Sequence, residues 1–431
     1  MSQDNTGFGY VALVGGKVID GLGGVHEGWT VLIEGDTIKA VGPRIGLPPG
    51  TKTIQLDGQA VMPGLIDMHG HMYARAHVDI VSQFDAYPIL YLAGGVTTVR
   101  DPGELNPVGV AELRDKVAAG TAVGPRIFTA GPYFDHAPSY VRWIKGTDTP
   151  DEALAMFREW KDQIDMVKVY SRIHEDQFIA LQRAAESAGL AIIGHLGSLT
   201  AQRAVDLGIN GLEHGLFTMT EFTGDGNGYD ALAELDLDSP QVVHLIESLV
   251  QRKVVVCPTT VTFQLIMRWA AVTPDWMDYL TPEAQAHQRE MLAKIEKPDS
   301  KRQETIKQVE ATQLGFTRRL HDAGGVVVVG TDPTHPMLMP GWGMYKEIEN
   351  LVDAGLPPLD AIRAATYDAA CALGAEDEIG SIGSGKKADL VIVDGDPSRD
   401  IRDLWKTHTV VKGGRAYSSS ELRAQAMGKI R

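Results

Sequence analysis

The 431-residue chain has only two cysteines, Cys257 and Cys371, placed far apart. So few exclude a disulfide framework and a cysteine metal site. Cys257 lies in VVVCP and Cys371 in AACAL, apolar settings that predict two small core residues. Long apolar runs are also missing, and none reaches the length needed to span a bilayer. The first residues, MSQDNTGFGY, have neither a basic nor an apolar leader region, so the expected location is cytoplasmic. Positive charge is scarce. With 40 Lys and Arg against 56 Asp and Glu, the net charge of −16 argues against nucleic acid or an anionic membrane as partner. A content of 44% hydrophobic and 22% charged residues suits a globular enzyme with a large core.

Texture divides the chain into three zones. Both ends are rich in short strand-like pieces broken by glycine: YVALVGGKVID, WTVLIEGDTIKAVG and TKTIQLDGQAVMPG first, KADLVIVDGD and THTVVKGGRAY last. They predict a small β-sandwich built from residues 1–62 and 376–431. The middle, residues 63–375, alternates strand and helix patterns, with strands ending at IDMHGH, GVTTVRD, RIFTAGP, MVKVYS, AIIGHL, GLEHG, VVVCPTT and VVVVGTD. Eight β-then-α units predict a TIM (β/α)8 barrel. A doubly wound open sheet would need a glycine-rich phosphate turn after its first strand, and GLIDMHGHM provides none. GSIGSGKK, residues 380–387, nearly matches a P-loop, but Lys387 replaces the required Ser or Thr and the segment leads into a strand. A hairpin turn is expected there. The long region from Thr220 to Ala323, with the loop TGDGNGY, falls where barrel insertions shape a pocket.

Chemistry concentrates at predicted strand ends. His69 and His71, separated by Gly70, would face one side of a strand, and imidazole is a common zinc ligand. His195 closes AIIGH, His214 closes GLEH, and Asp332 closes VVVVGTD. Lys168 stands between Val167 and Val169, where an ammonium is costly unless paired, neutralised or chemically changed. Catalytic residues of TIM barrels come from this rim.

With PGLIDMHGH, GVTTVRD, GTD and GSIGSGKKADLVIVDGDP, the sequence resembles the amidohydrolase superfamily of metal-dependent hydrolases over nearly its whole length. Within it the chain looks closest to the imidazolonepropionase-related branch with prolidase-like and N-acyl-amino-acid-cleaving members. The resemblance implies two divalent metal ions, expected to be Zn2+. His69 and His71 would bind the more buried ion, His195 and His214 the more exposed one. Asp332 would complete the first site and act as general base. Carbon dioxide or bicarbonate would carbamylate Lys168, whose carbamate would bridge both ions. The implied reaction is hydrolysis of an amide bond, in a dipeptide or an N-acyl amino acid, by a metal-bridging hydroxide. Superfamily deaminases carry a glutamate three residues after the fifth-strand histidine, but here Ser198 stands there. A mononuclear deaminase or cyclic-amide hydrolase, or a carbamate or ester hydrolase, is the alternative; a silent scaffold fits poorly with a full ligand set. The expected partners are a small-molecule substrate and further copies of the chain.

Recognition residues are less legible. His136, in GPYFDHAPSY, matches a position where prolidase-like relatives contact the substrate carbonyl. Tyr170 shares a face with Lys168 and could donate to an oxyanion. Arg142, Arg172 and Tyr229 lie on expected rim loops and could hold a carboxylate. Arg100 and Asp101 are expected to pair with each other. His77, His174 and His335 break the ligand pattern.

Overall fold

Short runs of Val and Ile bounded by Gly or turns become parallel strands, whose buried faces favour β-branched side chains. The computed structural model describes residues 9–76, 79–139, 141–224, 228–273, 275–296 and 298–431. Strands Leu65–Asp67, Val96–Asp101 and Arg126–Thr129 form one parallel three-stranded sheet. Tyr133–Phe134, Met166–Val169, Ala191–Gly194, Gly211–Glu213, Val255–Cys257 and Val326–Val327 form a six-stranded parallel sheet in chain order. Backbone hydrogen bonds join the sheets at both margins: Met68 N–H to Val329 O and Asp165 N–H to Thr129 O, each 2.9 Å.

Parallel neighbours require crossovers, and the intervening helices supply them. Helix Pro150–Trp160 starts as its sequence dictates: Thr149 caps the Glu152 N–H, Pro150 opens the first turn, and Asp151 and Glu152 complement the helix dipole. Its buried face is carried by Ala153 and Phe157.

Strands from both chain ends share a third, eight-stranded sheet. Leu390–Asp394 pairs antiparallel with Gln59–Pro63, and Gln59–Pro63 runs parallel to Tyr10–Ile19. Asp389 locks this sheet to the middle of the chain, accepting from Arg126 and Lys412 at 3.1 Å each and from the Gly413 N–H at 2.7 Å.

Three expectations need correction. Cys371 is exposed, because the helix Tyr367–Ala372 turns Ala369 and Ala370 inward instead; Cys257 is buried. The segment 380–387 makes no hairpin; it crosses from a helix to Leu390–Asp394 and hydrogen-bonds the strand Thr37–Gly42 on the way, with Ile38 N–H to Lys386 O at 2.8 Å. His69-Gly70-His71 lies just beyond its strand, which ends at Asp67. His77 and residues 225–227 of the glycine-rich loop lie outside the described residues. No helix among the described residues is long and apolar enough to cross a membrane.

Asp67 ties the first parallel strand to the last. Fully buried, it accepts from the Thr331 hydroxyl at 2.6 Å, the Thr331 N–H at 3.1 Å and the His69 N–H at 3.0 Å. Asp67→Ala leaves three buried donors without partners and is expected to cost about 2–4 kcal/mol in a denaturant titration of the metal-free protein.

Candidate active site

The residues that follow the parallel strands converge on one point. His69 and His71 have ring centroids 5.1 Å apart, His69 and His214 4.7 Å, and His195 and His214 4.6 Å. Asp332 Oδ1 reaches His71 Nε2 at 3.3 Å and His69 Nε2 at 3.8 Å. Ligand atoms of His69, His214 and Asp332 all lie within 4.8 Å of one another, a spacing that could hold a divalent ion. Gly70 makes the approach possible from behind, since a Cβ there would stand 2.6 Å from Val99 Cγ1 and 2.7 Å from the Tyr91 hydroxyl.

Lys168 belongs to the same cluster. Its side chain is 1% exposed, and its Nζ is buried with no hydrogen-bond partner. Burial lowers its pKa to about 8. Its charge, added to burial, helps push His195 down to about 3 and holds His69 and His214 well below the imidazole range. Burial opposes ionisation of Asp332, yet His69 and His71 overcome it and bring the carboxyl to about 2. Burial also disfavours His71 as a cation, but Asp101 and Asp332 prevail and raise it to about 9.

Oxygen atoms back the imidazoles on their far sides. His69 Nδ1 is 2.6 Å from Glu213 Oε2, and Glu213 Oε1 accepts from Arg100 at 2.6 Å. His214 Nδ1 is 2.7 Å from Thr259 Oγ1. His71 Nδ1 stands 3.6 Å from Asp101 Oδ1, too far for a hydrogen bond, and is buried without one. Glu213 and Thr259 were missed in the sequence. A glutamate inside the apolar strand GLE, next to His214, was the available signal for the first; nothing marked the second. Arg100 and Asp101 do not pair as expected: Arg100 spends its guanidinium on Glu213 and Met68 O, and Asp101 accepts from the Thr129 hydroxyl at 3.0 Å. Glu213 is buried, and a buried carboxylate is costly unless a cation and hydrogen bonds compensate it, which Arg100 and His69 do.

Aromatic rings wall one side. Tyr170 lies 4.6 Å from His195 and 5.1 Å from Tyr133, and the Tyr133 and Tyr73 hydroxyls bond at 2.8 Å. Tyr229 and Phe263 meet edge to face at 5.5 Å, and Phe263 touches His214 at the same centroid distance. The structure gives the other recognition candidates their own partners. His136 stacks on His174 at 3.6 Å, with Nδ1 3.2 Å from Gln177 Oε1. Arg142 is exposed, paired with Asp79 at 2.7 Å and lying over Trp143. Arg172 donates to Pro138 O at 2.7 Å.

Comparison with known proteins fits this arrangement. The model of the amidohydrolase family matches residues 60–416. The chain belongs to the amidohydrolase family. Among curated amidohydrolase relatives it is 40% identical over 97 residues to a dihydroorotase of Geobacter metallireducens, covering 22% of each chain. It is 25% identical over 391 residues to an adenine deaminase of Serratia proteamaculans, covering 89% of this chain and 53% of that one. The match to an imidazolonepropionase of Geobacillus is 37% over 114 residues, 25% of this chain and 26% of that one. The chain thus spans about half or less of these relatives. Its fold is that of a Xaa-Pro dipeptidase structure, at TM-score 0.70 and 24% identity over 95% of this chain and 100% of that one. A putative prolidase from Bifidobacterium longum gives 0.72 and 23% over 97% and 99%.

His71 near 9 and Lys168 near 8 mean that a divalent ion entering the cluster competes with protons. Its apparent affinity is expected to rise about tenfold per pH unit for each proton displaced, between roughly pH 6 and 8. Calorimetry of metal binding in buffers of different ionisation enthalpy counts those protons.

Proposed function

We propose that this amidohydrolase is a binuclear metal-dependent hydrolase of an amide bond in a small molecule, a dipeptide or an N-acyl amino acid. One observation carries the reading: the buried Nζ of Lys168, without a hydrogen-bond partner, beside the imidazoles of His69, His195 and His214. Condensation of its neutral amine with carbon dioxide forms an N–C bond, releases one proton and turns a buried cation into a two-oxygen anion. His69, His71 and Asp332 would hold the inner ion, His195 and His214 the outer one, and the Lys168 carbamate both. When bound, two such cations, zinc for this donor set, supply a water of lowered pKa and polarise the substrate carbonyl.

The chain's own groups handle position and protons. Asp332, ionised throughout the neutral range, accepts the proton of the attacking water on its carboxylate and returns it to the departing nitrogen. Tyr170, beside His195, donates its hydroxyl to the oxygen on which charge develops. His136 is the further contact for the substrate carbonyl. Arg172, on a turn, Tyr229, which opens the short helix Tyr229–Glu234 and not the expected loop, and Arg142 are the candidates for a substrate carboxylate. The reading includes the fold: the two parallel sheets, hydrogen-bonded at both margins, are one closed (β/α)8 barrel over residues 63–375, carrying a β-sandwich from both chain ends.

Lys168→Ala is expected to lose metal and at least about 100-fold in turnover, with partial rescue by small carboxylates. Metal analysis and a screen of dipeptides and N-acyl amino acids with zinc and bicarbonate check this. One ion per chain and a dispensable Lys168 would instead support the mononuclear deaminase reading, which the adenine deaminase similarity favours.

A further inference from the structure

Backbone strain gathers at the cluster. Six non-glycine residues among those described have positive φ, and three of them are His214 at 70°, Asp332 at 51° and Thr259 at 43°. A β-branched residue rarely adopts this conformation, and such outliers persist where the surroundings over-determine them. Here the surroundings are visible. The helix Thr260–Arg268 begins directly after Thr259, and its first two N–H groups donate to Glu347, at 2.8 Å from Thr260 and 2.7 Å from Val261. Glu347 is fully buried on the helix Trp342–Asp353, where Asn350 donates to it at 3.0 Å. It spans both donors with its two oxygens and so fixes where the turn begins.

That turn grips two members of the cluster at once. Thr259 Oγ1 lies 2.7 Å from His214 Nδ1, and the Thr262 hydroxyl donates to Asp332 O at 3.1 Å. Thr259 is fully buried, and its hydroxyl meets His214. An imidazole presents a lone pair from one nitrogen only when the other carries the proton, and an oxygen partner selects which. With Nδ1 bonded to Thr259, Nε2 is the nitrogen left for a cation.

We propose that Thr259 is a positioning residue that fixes His214 as the Nδ1–H tautomer, with Glu347 as the buried anchor that holds Thr259 in its strained turn. This rests on the metal reading of the cluster. The strain provides the test, because glycine adopts a φ of 43° freely while lacking the hydroxyl. Purified full-length wild type, Thr259→Gly, Thr259→Ser and Glu347→Gln are stripped and titrated with Zn2+ and Co2+. Metal-free Thr259→Gly is expected to melt with metal-free wild type, yet to bind one of two ions about 10–100-fold more weakly, with a changed cobalt visible spectrum. Thr259→Ser should restore the affinity to within about threefold and the spectrum with it. Glu347→Gln should shift the cobalt spectrum in the direction of Thr259→Gly. Wild-type affinity and spectrum in Thr259→Gly overturn the inference and leave the metal reading standing, as does a serine variant no better than glycine. A wild type that binds no ion overturns the metal reading and the inference together. If Thr259→Gly does not fold, Thr259→Ala takes its place: a wild-type affinity and spectrum there overturn the positioning role, and a wild-type spectrum in Glu347→Gln overturns the anchor role.

Discussion

Too many nitrogen donors and too few oxygen acceptors share one water-poor place, and the rest of the site is arranged around that imbalance. Lys168 and His71 each keep a buried nitrogen without a hydrogen-bond partner, beside the rings of His69, His195 and His214. Asp332 faces His71 and His69 at Nε2, and these histidines hold it ionised. Buried polar groups are ordinarily satisfied, so an arrangement like this marks a place meant for something else. Cations, together with a lysine converted to an anion, would turn each unfavourable term into a favourable one.

The supporting structure follows from holding that cluster still. Asp67 and Thr331 pin the first and last parallel strands, so His69 and Asp332 are brought face to face from distant parts of the chain. Glu213 and Arg100 neutralise each other beneath His69, which removes a stray charge and orients a ring in one step. Gly70 and Gly330 let neighbours close in where any side chain would collide: at Gly330 a Cβ would meet Cys257 Sγ at 2.4 Å. Stability is given up locally in three strained backbone positions and is recovered in the packed strands and helices around them.

Family membership and substrate are separate questions for this chain. The amidohydrolase relatives named above include enzymes called dihydroorotase, adenine deaminase and imidazolonepropionase, so the shared frame accommodates several reactions. What separates the readings here is local. Lys168 is buried in the strand Met166–Val169, and a serine, Ser198, stands three residues after His195. The rings of Tyr73, Tyr133 and Tyr170 wall one side of the cluster, whereas Arg142 pairs with Asp79.

Residue type and position relative to strand ends were enough to single out His69, His71, Lys168, His195, His214 and Asp332, because an ionisable group after an apolar β run stands out locally. The alternation of strand and helix patterns likewise announced parallel strands, and matching β-rich ends announced a β-sandwich from both termini, of which the structure shows one shared eight-stranded sheet. Partners that come from distant chain segments left no such mark. Glu213 choosing His69 and Arg100, Thr259 backing His214, and Glu347 anchoring that threonine are all set by which helices and strands become neighbours. Arg100 and Asp101 looked like a pair because they adjoin in sequence; the fold offered each a better partner. Sequence determined which groups carry the chemistry, since that depends on the side chains alone. Tertiary structure decided how each is oriented and charged, since hydrogen-bond geometry and desolvation exist only once distant segments have packed together.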